Sequence, residues 1–156
     1  MILQGNPDII CLQEITPTMK KYLMGHPDIK KDYFLIADEC QPYGQVILTK
    51  LLPAASNCHS FSLATEGNSK KYLVISYNLS DGRIFHLVNL HLTSDYQSGS
   101  VSKRNKQLQM ILTTLHVQED QPFLLAGDFN SSQDMVAPHP IQLQDWWTLL
   151  HKEDKG

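Results

Sequence analysis

The chain reads as an α/β or α+β domain built on packed sheets, and three observations carry that reading. Short β-rich apolar runs recur at residues 9–12, 33–37, 45–49, 73–79, 84–92 and 123–126. Ser80-Asp81-Gly82-Arg83 separates two of them, and an Asp-Gly pair between such runs predicts a hairpin. Residues 101–115 place Leu108, Ile111, Leu112 and Leu115 at the three-and-four spacing of an amphipathic helix, ahead of the last strand. Strands, a hairpin, a helix and a further strand suit a domain of packed sheets.

The first run, Ile9-Ile10-Cys11-Leu12, follows Pro7-Asp8 and ends at Gln13-Glu14. A short helix follows: Thr16 is placed as N-cap and Pro17 at the first helical position. Met19, Tyr22 and Leu23 share one face of it, and Gly25 ends it. Pro42-Tyr43-Gly44 is a turn between the strands at 33–37 and 45–49. Residues 61–64 are a weaker strand candidate, followed by a loop at 66–69. The 84–92 strand is apolar on both faces (Ile84, Val88 and Leu90 against Phe85 and Leu87), so it is expected to be central. His91 ends it on the side of Asn89, Leu87 and Phe85, and His86 points to the other face, where a structural role is expected. A polar loop spans 93–100. Lys103, Arg104 and Lys106 then mark the first half of the helix, where positive charge opposes the dipole unless something negative sits nearby. Residues 131–140 are a loop with two prolines, and 145–150 start a last helix.

A length of 156 residues fits one domain with a real core, and no internal linker divides it. With 42% hydrophobic and 19% charged residues the chain is globular rather than disordered. A net charge of −3 gives no global attraction to nucleic acid, so a phosphate-rich partner must be held by local positive charge or a metal. Cys11, Cys40 and Cys58 form no C-x-x-C pair and read as reduced thiols in a reducing intracellular compartment. The N-terminus lacks the pattern of a signal peptide, and no apolar run reaches membrane-spanning length, so no membrane partner is expected.

The stretch most suggestive of chemistry is Phe123-Leu124-Leu125-Ala126-Gly127-Asp128-Phe129-Asn130. Gly127 lets the chain leave a buried strand at 123–126 without a Cβ penalty. If the chain stays extended, Asp128 and Asn130 project to one side, at a strand end where ligands of α/β sheets commonly sit. A carboxylate can orient or deprotonate water while a neutral amide steadies a phosphate oxygen. The same pair also fits an Asx-type turn that ends a strand, and taken alone the turn is favoured. Glu14 fits a ligand for a hard cation such as magnesium, or a solvated strand end. His91 fits a donor to phosphate or a proton shuttle, or a buried imidazole satisfied by backbone. The Lys103/Arg104/Lys106 group fits a polyanion contact or a solvated helix face. Trp146-Trp147 fits base stacking or core packing.

Three segments carry a family resemblance: Pro-Asp-Ile-Ile-Cys-Leu-Gln-Glu at 7–14, Val-Asn-Leu-His-Leu-Thr-Ser at 88–94 and Ala-Gly-Asp-Phe-Asn at 126–130. In order and spacing they resemble successive signatures of the endonuclease/exonuclease/phosphatase superfamily. Within it the chain is most similar to the tyrosyl-DNA phosphodiesterase group. That similarity lies in the loop from His91 to Ser94, in Arg104 leading Asn105-x-Gln-Leu-x-Met-Ile-Leu, in Gln144-Asp145-Trp146-Trp147-x-Leu-Leu, and in Gly44-Gln-Val-Ile-Leu-Thr-Lys. The resemblance implies a DNase I-like two-sheet sandwich flanked by helices that hydrolyses phosphodiester bonds with magnesium or manganese. It assigns the metal to Glu14, the attacking water to Asp128, the scissile phosphate to Asn130 and His91, and substrate binding to Ser94 and Arg104. It implies DNA with a 5′-phosphotyrosyl end as partner, and a nuclear or cytoplasmic location. The family's opening strand that ends in asparagine, and its closing Asp-His pair, have no counterpart here. The expectation is therefore a partial domain truncated at both ends and, alone, inactive or nearly so. Two alternatives stand beside it: another nuclease, deadenylase or phospholipid or inositol phosphatase of the superfamily, and a non-catalytic remnant that binds DNA or a protein.

Overall fold

The computed structural model describes residues 2–61, 70–115, 121–131 and 143–150. It contains two sheets. Strand β1 (Ile9–Ile15) is followed by helices α1 (Pro17–Gly25) and α2 (Pro27–Asp32), then β2 (Phe34–Ala37) and β3 (Gly44–Thr49). These strands form an antiparallel sheet in the order β1-β3-β2. The second sheet has the order β4-β5-β6-β7, from β4 (Ala55–Ser60), β5 (Lys71–Asn78), β6 (Ile84–His91) and β7 (Phe123–Asp128). Its first three strands are antiparallel, and β6 and β7 are parallel, joined through helix α3 (Ser100–Thr114). A short helix α4 (Trp146–Leu150) comes last.

The period-two alternation of each strand sorts its side chains into layers. Ile47, Leu73, Ile75 and Leu87, with Ile9, Cys11 and Ala126, fill the space between the sheets. Ile10, Val46 and Leu48 point out of the first sheet onto Ile29 of α2 and Leu23 of α1. Val74, Val88 and Leu90 point out of the second onto Leu108 and Ile111 of α3. The result is a two-sheet sandwich with helices on both outer faces. As the sequence implied, β6 is central, and the Asp81-Gly82 hairpin joins it to β5, with Gly82 at φ +85°. Among the described residues no helix is long and apolar enough to cross a membrane.

Several local expectations are corrected. Thr16 does cap α1, its hydroxyl accepting from the Met19 amide at 3.2 Å, with Pro17 behind it. The face assigned to Met19 and Tyr22 is nevertheless not buried: Tyr22 is 76% exposed, and only Leu23 reaches the layer beneath. Strand β4 escapes an apolar-pattern reading because nearly all its side chains are exposed; its pairing with β5 holds it as a sheet edge. Gly44 opens β3 rather than closing a turn, and the Asp38 carboxylate occupies the space a Cβ there would need, 1.8 Å away. Phe61 is buried but not in a strand, and the rest of the 61–64 candidate lies outside the described residues, as do the 66–69 loop and most of 131–140. Trp146 is exposed rather than packed into the core.

Candidate active site

The C-terminal ends of β1, β6 and β7 meet at one edge of the sandwich, because β1 packs across β6 and β7. Each end presents a polar residue. On β1, Leu12 pairs with Val46 and Ile15 with Gly44, so one extra residue is accommodated between them. Glu14 lies in this bulge at φ +56° and is exposed, although its neighbour Ile15 is buried. Bulges of this kind re-aim a side chain that a regular strand would send to one face or the other.

His91 ends β6 opposite Asp128 of β7, with its Nε2 3.8 Å from Asp128 Oδ2. That separation is too long for a hydrogen bond and leaves both atoms available to a third group. Only 9% of His91 is exposed. Burial, reinforced by the nearby Lys70 ammonium, holds its pKa below the ordinary 6.5, and the carboxylates of Asp128 and Glu14 offset this in part. The imidazole is therefore neutral at pH 7, able to donate from one nitrogen and accept at the other. The field of Glu14 at His91 places the β1 carboxylate within electrostatic reach of the same site.

Asp128 and Asn130 do not continue an extended chain. Strand β7 runs through Gly127 to Asp128, so the glycine does not release the chain from the sheet. Asn130 adopts φ +49°, and its amide donates to Asp128 Oδ1 at 2.8 Å. Asn130 Nδ2 donates to the Leu92 carbonyl at 3.0 Å, which carries its amide back towards the loop after His91. The Asx turn and the site are thus one arrangement, since the turn brings Asn130 beside β6.

Ser94 is half-buried on the loop that leaves β6, and its carbonyl accepts from the Gln97 amide at 3.2 Å. Arg104 lies inside. It is 3% exposed, Nη1 donates to the Thr93 carbonyl at 3.1 Å, and the same atom pairs with Asp95 Oδ1 at 2.5 Å. Asp95 is the negative group that the first half of α3 requires, and Arg104 fastens the 93–100 loop to that helix. The guanidinium is placed to shape the loop carrying Ser94 rather than to meet a ligand from solvent.

Three further residues belong to the site and were not picked out from sequence. Lys70 Nζ donates to the Leu92 carbonyl, the same oxygen that Asn130 uses, which puts an ammonium beside His91. Gln13, next to Glu14, donates to Asn89 Oδ1 at 2.6 Å, and Asn89 is fully buried two residues before His91. A polar residue inside the run Leu87-Val88-Asn89-Leu90 was the available signal, because a buried amide must find partners. Among the described residues no group of three or more His, Cys, Asp or Glu side chains gathers to hold a metal. The oxygen donors Glu14 and Asp128 fit a hard cation that takes one or two carboxylates and keeps water or phosphate oxygens for the rest.

The imidazoles also set a pH dependence. His86, bonded through Nδ1 to Ser76 Oγ at 2.9 Å, has its pKa lowered by burial, as His91 does. A folded-state pKa below the unfolded 6.5 means the unfolded chain binds more protons in the window beneath 6.5. Stability is therefore fully present above 6.5 and falls as the pH drops through that window. Urea unfolding at about pH 5 is expected to give a lower free energy than at about pH 7.5, with the gap narrowed in His86→Gln. An equal free energy at both values would refute this.

Comparison with known proteins matches this architecture. The profile of the Endonuclease/Exonuclease/phosphatase family matches residues 1–150. Caenorhabditis elegans TDP2 superposes with a TM-score of 0.75 at 19% identity, covering 99% of this chain and 47% of that one. D. rerio TDP2, solved with a single-strand DNA product, gives 0.65 at 22% identity, covering 85% and 51%. ANGEL2, described as a 2′,3′-cyclic phosphatase, gives 0.65 at 21% identity, covering 85% and 42%. The chain thus spans about half the length of these solved relatives or somewhat less. No curated protein sequence matches it. With the family profile running along almost all of a sandwich whose strand ends carry Glu14, His91 and Asp128, the chain belongs to the Endonuclease/Exonuclease/phosphatase family.

Proposed function

We propose that the chain hydrolyses a phosphodiester with magnesium or manganese, and that its substrate is DNA carrying a 5′-phosphotyrosyl end. The observation that supports it best is the meeting of Glu14, His91 and the Asp128–Asn130 turn, from three strands, at one edge. Glu14 would hold the cation, which supplies Lewis-acid polarisation of the phosphate when bound. Asp128 orients the attacking water and takes its proton as the new P–O bond forms. The neutral His91 imidazole and the Asn130 amide donate to phosphate oxygens, and Lys70 adds positive charge on the same side. The leaving oxygen departs with the electrons of the broken P–O bond. A tyrosyl oxygen, with a phenol pKa near 10, leaves with less proton assistance than an alkoxide. The likeness to TDP2 bound to single-strand DNA supports a nucleic-acid partner. The three free thiols suit a nuclear or cytoplasmic setting.

The likeness to ANGEL2, at a TM-score of 0.65 beside 0.65 and 0.75 for the two TDP2 structures, supplies a second substrate to test, a 2′,3′-cyclic phosphate end. Single-turnover assays with the chain in excess and magnesium present separate the two. Slow formation of a 5′-phosphate from a 5′-phosphotyrosyl oligonucleotide is expected. Opening of a cyclic-phosphate RNA end alone would transfer the assignment to that substrate, and no magnesium-dependent product from either would overturn hydrolysis.

A further inference from the structure

Glu14 and His91 sit on different sheets, and backbone hydrogen bonds within a sheet cannot fix the distance between them. The link is a side-chain bridge through the interior. Asn89 is fully buried, on the same inward face of β6 as His91. Its Oδ1 accepts from Gln13 Nε2 at 2.6 Å, and its Nδ2 donates to the carbonyls of Leu12 at 3.0 Å and Val46 at 3.1 Å. The carbonyl oxygen and both amide hydrogens of Asn89 are therefore engaged, and all three bonds cross from β6 to β1 or β3. Two of them land at the pair Leu12–Val46, the last regular one before the bulge that carries Glu14, and the third lands on Gln13 within that bulge. Gln13 is held by Asn89 on one side of Glu14, and Ile15 is buried on the other. Glu14 itself, at φ +56°, has no strand geometry of its own to define its direction.

We propose that Gln13 and Asn89 are positioning residues: their hydrogen bond spans the sandwich and sets the Glu14 carboxylate against His91, so that a divalent cation on Glu14 stands at a fixed distance from the imidazole. The proposal rests on the reading of Glu14 as the cation ligand. It assigns to two residues that touch neither cation nor substrate the task of keeping two sheets in register at the site. A residue with only a structural role would lower the melting temperature and leave the cation's affinity and its distance to His91 unchanged.

The test uses Mn²⁺ alone as probe, read by water-proton relaxation for affinity and by paramagnetic broadening of the His91 ring signals for distance. Wild type is expected to bind and Glu14→Ala to lose that binding. Gln13→Met keeps the side-chain length and volume at a half-buried position while removing the donor, so it retains the fold more readily than a change at Asn89. It is expected to bind Mn²⁺ about 10-fold more weakly, with less broadening of His91, at temperatures well below its melting point. Unchanged affinity and unchanged broadening in Gln13→Met, with Glu14→Ala still defective, would overturn the bridge alone. Wild type and Glu14→Ala behaving alike would overturn the cation reading and the bridge with it.

Discussion

Gly127→Ala is expected to be among the most damaging single changes to this fold, costing ~3 kcal/mol or more. Gly127 has φ +130°, a conformation that residues with a Cβ rarely adopt, and it lies inside β7 rather than in a free turn. A Cβ there would fall 2.1 Å from the Leu90 carbonyl oxygen and 3.0 Å from two further backbone atoms of Leu90. Leu90 cannot retreat. It is fully buried in β6, paired to Tyr72 on one side and to Gly127 on the other, and its side chain packs under α3. The clash is relieved only by lifting β7 away from β6, which breaks the parallel ladder from which Asp128 projects. For a chain of this size the melting temperature should drop by ~6–12 °C. Urea unfolding and a thermal scan measure the effect, and a loss below ~1 kcal/mol would mean that β7 can shift without cost to the sheet. The close approach of two backbones at this point is what brings the Asp128 carboxylate within 3.8 Å of the His91 ring. A space-demanding change at 127 should therefore disturb the site even in molecules that remain folded.

How much of this was legible in the sequence follows from what each feature depends on. The six apolar runs declare themselves because strands buried on one or both faces leave apolar stretches along the chain, and the Asp81-Gly82 turn is a local requirement of backbone geometry. Strand β4 depends only on a neighbour's free edge, so its Ala-Ser-Asn-Cys-His-Ser composition carries no apolar signal. The same division holds at the site. Asp128 and Asn130 stand out as polar residues after a buried strand, yet a period-two reading misjudges how they meet, because an Asx turn and a left-handed Asn130 take over from the extended chain. The bulge at Glu14 is set by how β1 and β3 pair, and no residue of β1 alone encodes that offset. Arg104 looks like a surface charge at its place on α3. Its burial depends on Asp95, nine positions earlier, being folded back by a loop whose path the sequence does not specify. Lys70 reaches the site because β5 pairs with β6 in the register that sets Tyr72 against Leu90, which places residue 70 beside Leu92. Features fixed by local chemistry were readable, and features fixed by the register between distant strands were not.

The largest expected effect on chemistry is at Asp128, and the two oxygens of its carboxylate let the fold and the reaction be separated. Oδ1 accepts from the Asn130 amide at 2.8 Å and closes the turn, while Oδ2 lies 3.8 Å from His91 Nε2, on the half-exposed side where a phosphate would enter. Asp128→Asn keeps an oxygen that can accept at the turn, so the path of the chain from β7 to Asn130 should survive with little change in melting temperature. Under the proposed function it removes the charge that would orient the water and the basic site that would take its proton. The single-turnover rate is expected to fall by about 10²–10⁴-fold, the range typical of losing a positioned general base. A second consequence follows from the same charge. Asp128 is the larger of the two influences that raise the His91 pKa against burial and Lys70. Its removal should move the imidazole's titration, followed by its ring proton shift, further below that of wild type. A titration unchanged in Asp128→Asn would mean that the two side chains do not share one electrostatic site. A rate within about threefold of wild type, with the titration moved, would show that the carboxylate tunes His91 but does not handle the water. Asp128→Ala serves as the control for the turn. It should lose both rate and the Asn130 contact, with a stability cost of about 0.5–1.5 kcal/mol that the asparagine variant does not show.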